Sequence, residues 1–482
     1  MKSREFFVEL YIDFSIQRNI IQFGTRNTKE SRVYMLFTNK DIRKLIIPLI
    51  IEQFLTVFVG MADTVMVSQT GEAAISAVSL VDTVNVLLIN IFAALANGGA
   101  VVAGQFLGHK NRKESCSVAN QMLVFASICS VVVMAIAIGF HNVLLHGIFG
   151  KVSSDVMSAA KTYLLITALS IPFIAIYNAG AALFRAMGNS KVTMVVTFIM
   201  NTINIIGNAV LIFGFHMGVA GVAIPTTVSR IIAAIIIVVM LFNGERDISL
   251  KGCFKFKLDG SIIKKILYIG VPNGLENSMF QLGKIVVLSL VATFGTPAIA
   301  ANAVGNTIAM FQIIPGLAIG MAMLSVTAQC VGAQDYDQVK YYNKKLMKIA
   351  YVTMILINII VVAVLPILIK LYNLGTEAAE ITWWIVIFHA ICACLIWPLS
   401  FCLPNTLRAA NDVKFCLVVS VISMWAVRIA PSYILADNLG LGVKGVWIAM
   451  ILDWCVRSVF FGVHYRRGRW IPKQYRKIGK VN

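Results

Sequence analysis

Residues 48–75 read PLIIEQFLTVFVGMADTVMVSQTGEAAI, and residues 272–299 read PNGLENSMFQLGKIVVLSLVATFGTPAI. At an offset of 224, Pro48 meets Pro272, Glu52 meets Glu276, Gly71 meets Gly295, Ala74 meets Ala298 and Ile75 meets Ile299. The same register joins Gln105 to Gln329 and Gly108 to Gly332, and later Gly218-Val-Ala-Gly-Val-Ala-Ile224 to Gly442-Val-Lys-Gly-Val-Trp-Ile448. Between them Arg185, Ala186 and Lys191 match Arg408, Ala409 and Lys414 at 223. Biased composition produces chance Ala, Val and Ile matches. Pro, Glu, Gln, Arg and Gly in one register indicate a duplicated chain.

Working outward, the 482 residues are 59% hydrophobic and only 13% charged, with a mean hydropathy of +0.82. So few polar residues cannot cover a water-soluble surface, which excludes a cytosolic enzyme. Lipid leaves helices as the spanning element, each needing roughly 20 apolar residues. Hydropathy and breakers give twelve spans, at 43–68, 73–107, 117–140, 160–184, 190–214, 219–243, 265–294, 298–332, 347–370, 379–405, 413–437 and 441–465. The expected fold is an all-α polytopic membrane protein of twelve transmembrane helices in two pseudo-symmetric six-helix lobes. Residues 43–243 form the N-lobe and 265–465 the C-lobe; 1–42 precede them, 244–264 link them, and 466–482 form a basic tail. Six spans per copy run the two halves in the same direction, an arrangement that commonly flanks a central substrate site.

The chain carries 41 Lys+Arg against 22 Asp+Glu, a net charge of +19. Of the basic residues, 33 fall in the terminal segments and alternate loops of one side, only Lys151, Lys161, Lys370 and Lys444 on the other, and Arg230, Lys284, Arg428 and Arg457 within spans. This asymmetry predicts both termini in the cytoplasm of a multi-pass protein of the plasma (inner) membrane. It also removes nucleic acid as a partner. Residues 1–42 lack the continuous apolar run of a signal peptide. The nine cysteines show neither a disulfide framework nor zinc spacing and read as small packing residues.

Ionisable groups in lipid are costly and mark function or internal pairing. They are Glu52, Asp63, Asp82, Arg230, Glu276, Lys284, Arg428, Asp453 and Arg457. Glu52 and Asp63 are about three helical turns apart on one stripe of span 1. A carboxylate in an apolar surround either alternates between neutral and ionised forms as its exposure changes or pairs with a bundle Arg or Lys. Asn201, Asn204 and Asn208 share one face of span 5, and by depth Asp63, Asn208 and Thr226 converge on an outer pocket of the N-lobe. Arg230, one turn after Thr226, is a candidate partner for an N-lobe acid. The second copy replaces Asp63 by Val287 and Thr226 by Met450, so the polar site belongs to one lobe. In the other, Glu276, Lys284, Arg428 and Asp453 are open to substrate contact or ion pairing, and Asp453 with Arg457 at i, i+4 reads as a structural pair. Met310, Phe311, Met321 and Met323 offer an adaptable apolar wall, or ordinary packing.

From about 41 to 470 the sequence resembles the multidrug and toxic compound extrusion (MATE) family. The resemblance rests on Pro48 followed by Asp63-Thr64, Gly71-Glu-Ala-Ala-Ile-Ser-Ala77, Gly104-Gln-Phe-Leu-Gly108, Phe184-Arg-Ala-Met-Gly188, Asn204-Ile-Ile-Gly-Asn-Ala-Val-Leu-Ile-Phe-Gly214, Gly218-Val-Ala-Gly221, Ala300-Ala-Asn302 and Gly442-Val-Lys-Gly-Val-Trp447. It implies a monomeric antiporter that exports organic cations or amphipathic compounds in exchange for sodium ions or protons. Lobes around a V-shaped cavity would alternate access. The resemblance further implies that Asp63 is the coupling acid and possible sodium ligand, that Pro48 lets span 1 bend, and that Asn178, Asn204, Asn208 and Thr226 complete the pocket. Many relatives carry a second Asp where this chain has Asn208. No cofactor is implied beyond the coupling ion, and no HExxH, GxSxG or Walker pattern suggests an enzyme. The alternative transporter reading is a lipid-linked oligosaccharide flippase, which requires a basic central cavity.

Overall fold

Thr38 opens the first helix: its hydroxyl accepts the Asp41 N–H at 3.2 Å while the Asp41 carboxylate accepts the Thr38 N–H at 2.9 Å, a reciprocal cap. The helix then runs unbroken through Pro48 to Ser68. The structure, a computed structural model, describes residues 35–150, 152–254 and 256–476. From Phe37 on these form one unit; most of the N-terminal segment 1–42 and the end of the tail 466–482 lie outside the described residues.

Among the described residues 11 helices are long and apolar enough to cross a membrane, or 12 when one bent pair is counted as a single span. In order they are span 1 (Asn39–Ser68), span 2 (Glu72–Gly108), span 3 (Arg112–Gly139), the bent span 4 (Ser154–Ala168 with Ile171–Ala186), span 5 (Ser190–Gly214), span 6 (Ala220–Leu241), span 7 (Gly260–Ala292), span 8 (Thr296–Gly332), span 9 (Tyr336–Leu371), span 10 (Thr376–Leu395), span 11 (Val413–Asn438) and span 12 (Gly442–Arg466). Two departures from the hydropathy boundaries have local causes. Span 4 starts earlier than 160 and bends by 47° at Pro172, which lacks the N–H that would close the preceding turn. Span 7 starts at Gly260 rather than 265, because the Asp259 carboxylate accepts the N–H groups of Ser261 and Ile262 at 2.8 and 3.4 Å. A polar, lysine-bearing first turn is invisible to hydropathy. Spans 5 and 11 also contain π-helical turns, Val210–Gly214, Ser423–Ile429 and Ile434–Asn438, which re-aim the side chains beside them.

Within the N-lobe span 1 packs on span 5, span 5 on span 6, and span 2 on spans 3 and 4; in the C-lobe span 8 packs on spans 9 and 10 and span 12 on span 11. Across the seam span 7 lies along span 2, and span 8 along spans 1 and 2. Backbones touch there: a Cβ on Gly98 would stand 2.7 Å from the Ile266 carbonyl oxygen.

At the end of the bundle that holds the basic loops, the repeat closes on itself. Gln105 Nε2 donates to the Ala409 carbonyl at 2.9 Å, and Gln329 Nε2 donates to the Ala186 carbonyl at 2.6 Å. Each bond crosses from one lobe to the other, and the two are related by the repeat. Beside them a Cβ on Gly108 would lie 1.9 Å from the Gln329 carbonyl oxygen, and one on Gly332 1.9 Å from that of Gln105. Backbone cannot yield as a flexible side chain can. Gly108→Ala and Gly332→Ala are therefore each expected to destabilise by about 1–3 kcal/mol, as overpacking does, and to lower the melting temperature of the detergent-solubilised protein. Gly462→Ala, whose Cβ would meet nothing within 4 Å, serves as the neutral control in the same melting assay.

Candidate functional site

The intramembrane charges divide into those that are cancelled and those that are not. Glu52 is buried and held by span 5 and the end of span 4: Thr193 Oγ1 donates to Glu52 Oε2 at 2.5 Å, and Arg185 Nη1 lies 3.6 Å from Oε1. In the second lobe Arg408 Nη2 donates to both oxygens of Glu276, at 2.7 and 2.8 Å. These pairs are copies of each other, since Glu52 matches Glu276 and Arg185 matches Arg408 in the repeat. Both acids, open in the sequence to a transport role, are thus neutralised within their own lobes. The third pair, Asp453 with Arg457, is buried at 2.9 Å, and Ser423 Oγ also donates to Asp453.

Asp63 is different. Asn208 Nδ2 donates to Asp63 Oδ1 at 2.9 Å. With the Asn204 amide oriented by its hydrogen bonds, its nitrogen donates to Asp63 Oδ1 and Oδ2 at 2.8 and 3.2 Å, and its oxygen accepts the Thr226 hydroxyl at 3.0 Å. Asp63, Asn204, Asn208 and Thr226, from spans 1, 5 and 6, are therefore one hydrogen-bonded cluster. Its donors are neutral, so the carboxylate is oriented without being cancelled. Asn208 Oδ1 is buried with no hydrogen-bond partner, a hard oxygen beside a carboxylate. This donor set suits a proton or a hard monovalent cation.

Asn178 is not joined to this cluster: its Nδ2 is buried without a partner, as is that of Asn201. Arg230 of span 6 donates to Ser170 Oγ at 2.8 Å and, among the described residues, makes no ion pair with a carboxylate. It acts at longer range on both Asp63 and Asp82. Asp82 of span 2 is the group that spacing alone did not single out. Tyr163 of span 4 donates its hydroxyl to Asp82 Oδ1 at 3.0 Å, Asn85 Nδ2 approaches the same oxygen at 3.4 Å, and Asp82 and Asp63 interact electrostatically. This N-lobe pocket thus sets two acids against one arginine, and the second acid comes from span 2. Periodicity within one helix could not reveal it; only its place on the list of charges in lipid hinted at it.

Of the apolar wall, Met323 is fully buried in the C-lobe core, so its place is packing. Phe311 packs against Phe54 of the other lobe at 6.4 Å, and Gln53 Nε2 approaches Met321 Sδ at 3.9 Å. Lys284 and Arg428 flank the Phe280 ring in the C-lobe.

A duplicated bundle of membrane-spanning helices, with most of its buried charges paired and one acidic pocket left uncancelled, defines a polytopic membrane transporter. The chain belongs to the MatE family, whose model matches residues 48–210 and 272–434, two segments that begin 224 residues apart. It is 31% identical over 88% of its length to the uncharacterized transporter YisQ of Bacillus subtilis, covering 94% of that protein. It is 25% identical over 89% of its length to the probable multidrug resistance protein NorM of Thermotoga maritima, covering 93% of it. A solved outward-facing multidrug resistance MATE family transporter of the MOP superfamily superposes with a TM-score of 0.83 at 20% identity, covering 89% of this chain and 95% of that one, which establishes a common fold of two six-helix lobes. Members of this family are transport proteins.

Breaking a buried pair from one side leaves an uncompensated charge and costs about 3–5 kcal/mol, whereas removing both charges is close to neutral. Arg408→Met is accordingly expected to lower the melting temperature and membrane yield sharply, and Glu276→Gln/Arg408→Met to restore much of both. Equal losses for the single and double variants would contradict a pairing role for Glu276.

Proposed function

We propose that the protein is a cation-coupled antiporter, driven by sodium ions or protons, that exports organic cations or amphipathic compounds by alternating access. In this reading it sits in the plasma (inner) membrane as a monomer with both termini in the cytoplasm, and Asp63 is the coupling acid. The observation that carries it is the contrast among buried acids. Glu52, Glu276 and Asp453 each face an arginine within 3.6 Å, while Asp63 is held by neutral amides alone. An acid locked to a guanidinium has one stable state. An acid held by amides has two of comparable energy, and a bound ion chooses between them.

The steps follow from charge. Ion entry at Asp63 neutralises a carboxylate whose other charged neighbours are Asp82 and Arg230. The hydrogen bonds from Asn204 and Asn208 weaken as that charge is cancelled, and spans 1, 5 and 6 are released to repack. Exchange requires the ion and the exported compound to favour different lobe arrangements, since equal affinity for both would shift nothing. Pro48 and its copy Pro272 each remove one backbone hydrogen bond in the first half of a lobe's first span, which lowers the cost of bending there. Asn178 would join the pocket in another arrangement of span 4. Several matched relatives, NorM of Thermotoga maritima among them, are named as probable multidrug resistance proteins, which favours this reading over the oligosaccharide flippase.

Reconstitution into proteoliposomes tests it. Dye efflux is expected under an inward gradient of either sodium ions or protons, and Asp63→Asn should reduce it to the gradient-free rate while dye still binds the solubilised protein. Asp82→Asn should change the ion dependence of efflux without abolishing it. Efflux in Asp63→Asn equal to wild type at matched protein content would overturn the coupling role.

A further inference from the structure

The C-lobe carries a charge excess that nothing within it cancels. Lys284 Nζ lies 5.0 Å from the centroid of the Phe280 ring, and the guanidinium carbons of Arg428 and Arg457 lie 5.4 and 5.6 Å from it. Arg457 pairs with Asp453, whose Oδ1 accepts from both Arg457 and Ser423 while its Oδ2 is buried without a hydrogen-bond partner. Among the described residues neither Lys284 nor Arg428 pairs with a carboxylate. Arg428 is only 8% exposed, and its Nε is buried with no hydrogen-bond partner. Lys284 is exposed, and the two cations interact electrostatically. At longer range Arg428 also feels the Asp453 carboxylate and the Arg457 guanidinium, which leaves the cluster of three cations around Phe280 with one acid, and His389, bonded to Gln312, lies near it as well.

Their placement is built rather than incidental. Span 7 presses on the π turn of span 11 so closely that a Cβ on Gly283 would stand 2.2 Å from Met424, which brings Lys284 to the turn that carries Arg428. An unpaired ammonium beside an unpaired guanidinium cannot face hydrocarbon, so the open side of Lys284 faces water inside the protein. In the repeat, span 11 matches span 5 at the offset of 223, so Asn204 corresponds to Val427, the neighbour of Arg428, while Lys284 stands at 224 where the N-lobe has Gly60, one turn from Asp63. The two lobes therefore present opposite polarity in neighbouring positions of the repeat.

We propose that Lys284, Arg428 and Phe280 form a receptor for the anionic group of a transported aromatic amphiphile, a carboxylate or a phosphate monoanion whose ring packs on Phe280. The proposal rests on the exporter reading and places among its substrates aromatic amphiphiles that carry an anionic group. Arg supplies a planar fork for such an oxyanion and Lys a second charge.

The test uses the full chain, reconstituted in phosphatidylcholine and also in detergent, with fluorescein as the anionic probe and ethidium as the cationic one. Lys284→Gln and Arg428→Gln are expected to weaken fluorescein binding, and to lower the fluorescein-to-ethidium efflux ratio, by about tenfold or more. Lys284→Arg should restore most of both. Equal loss of the two dyes would overturn the proposal, as would wild-type export of ethidium without binding or export of fluorescein, which leaves the exporter reading intact. Fluorescein binding that is lost in both variants, in a protein that exports neither dye, upholds the receptor and sinks the exporter reading instead. Displacement of fluorescein by phosphatidylglycerol, with no fluorescein export, would make the site a lipid-headgroup site and overturn its assignment to substrate.

Discussion

A charge inside a bilayer must be paired, wetted or used, because hydrocarbon offers it neither solvent nor counterion. That constraint organises this protein more than any packing preference. The helices need only be apolar and long, and many sequences would satisfy them. The few ionisable side chains must each have a reason. Three carboxylates meet an arginine within their own lobe: Glu52 ties span 1 to span 4, Glu276 ties span 7 to the short helix Leu403–Ala409 that follows span 10, and the Asp453–Arg457 pair within span 12 bonds span 11 through Ser423 and the Ser420 carbonyl. What remains is an acidic pocket in the N-lobe and a basic one in the C-lobe.

Duplication explains the first group and divergence the second. Glu52 with Arg185 and Glu276 with Arg408 occupy corresponding places in the two copies, and so do the Gln105 and Gln329 bonds across the seam. Parts that both lobes need to fold and to meet have been kept in register. Parts to which the proposed exchange assigns the ion and the exported compound have not. Asp63 faces Val287 in the alignment of copies, and Asn204 faces Val427, next to Arg428. A molecule with two equivalent pockets would bind ion and compound alike in both lobes. Opposite polarity lets each lobe recognise a different partner, which exchange requires.

Much of this was legible in the chain. The repeat, the span count and the gathering of Asp63, Asn204, Asn208 and Thr226 followed from one offset and from helical periodicity, because those signals are local or recur. The pairing of Glu52 with Arg185 was half visible: both residues recur in the second copy, but nothing in spacing says which distant charge an acid will meet. Asp82 lay outside any periodic pattern. Its place in the site comes from tertiary contacts, the Tyr163 hydroxyl of span 4 above all. The place of span 7 along span 2 was likewise not legible, since the close approach depends on Gly98 lying against the backbone of span 7. Net charge misled in the opposite direction. The excess of +19 reflects loop topology and says little about substrate, while two lysine and arginine side chains in the bundle say a good deal.

The central claim is that one carboxylate, Asp63, is where the ion and the exported compound compete through the state of the lobes. Linkage makes the claim countable, because a compound that favours the ion-free state must expel the ion as it binds. The direct measurement is the number of protons or sodium ions released per molecule of compound bound to the solubilised protein. The account predicts about one ion released in wild type and none in Asp63→Asn. Release of the same number from both proteins would contradict it.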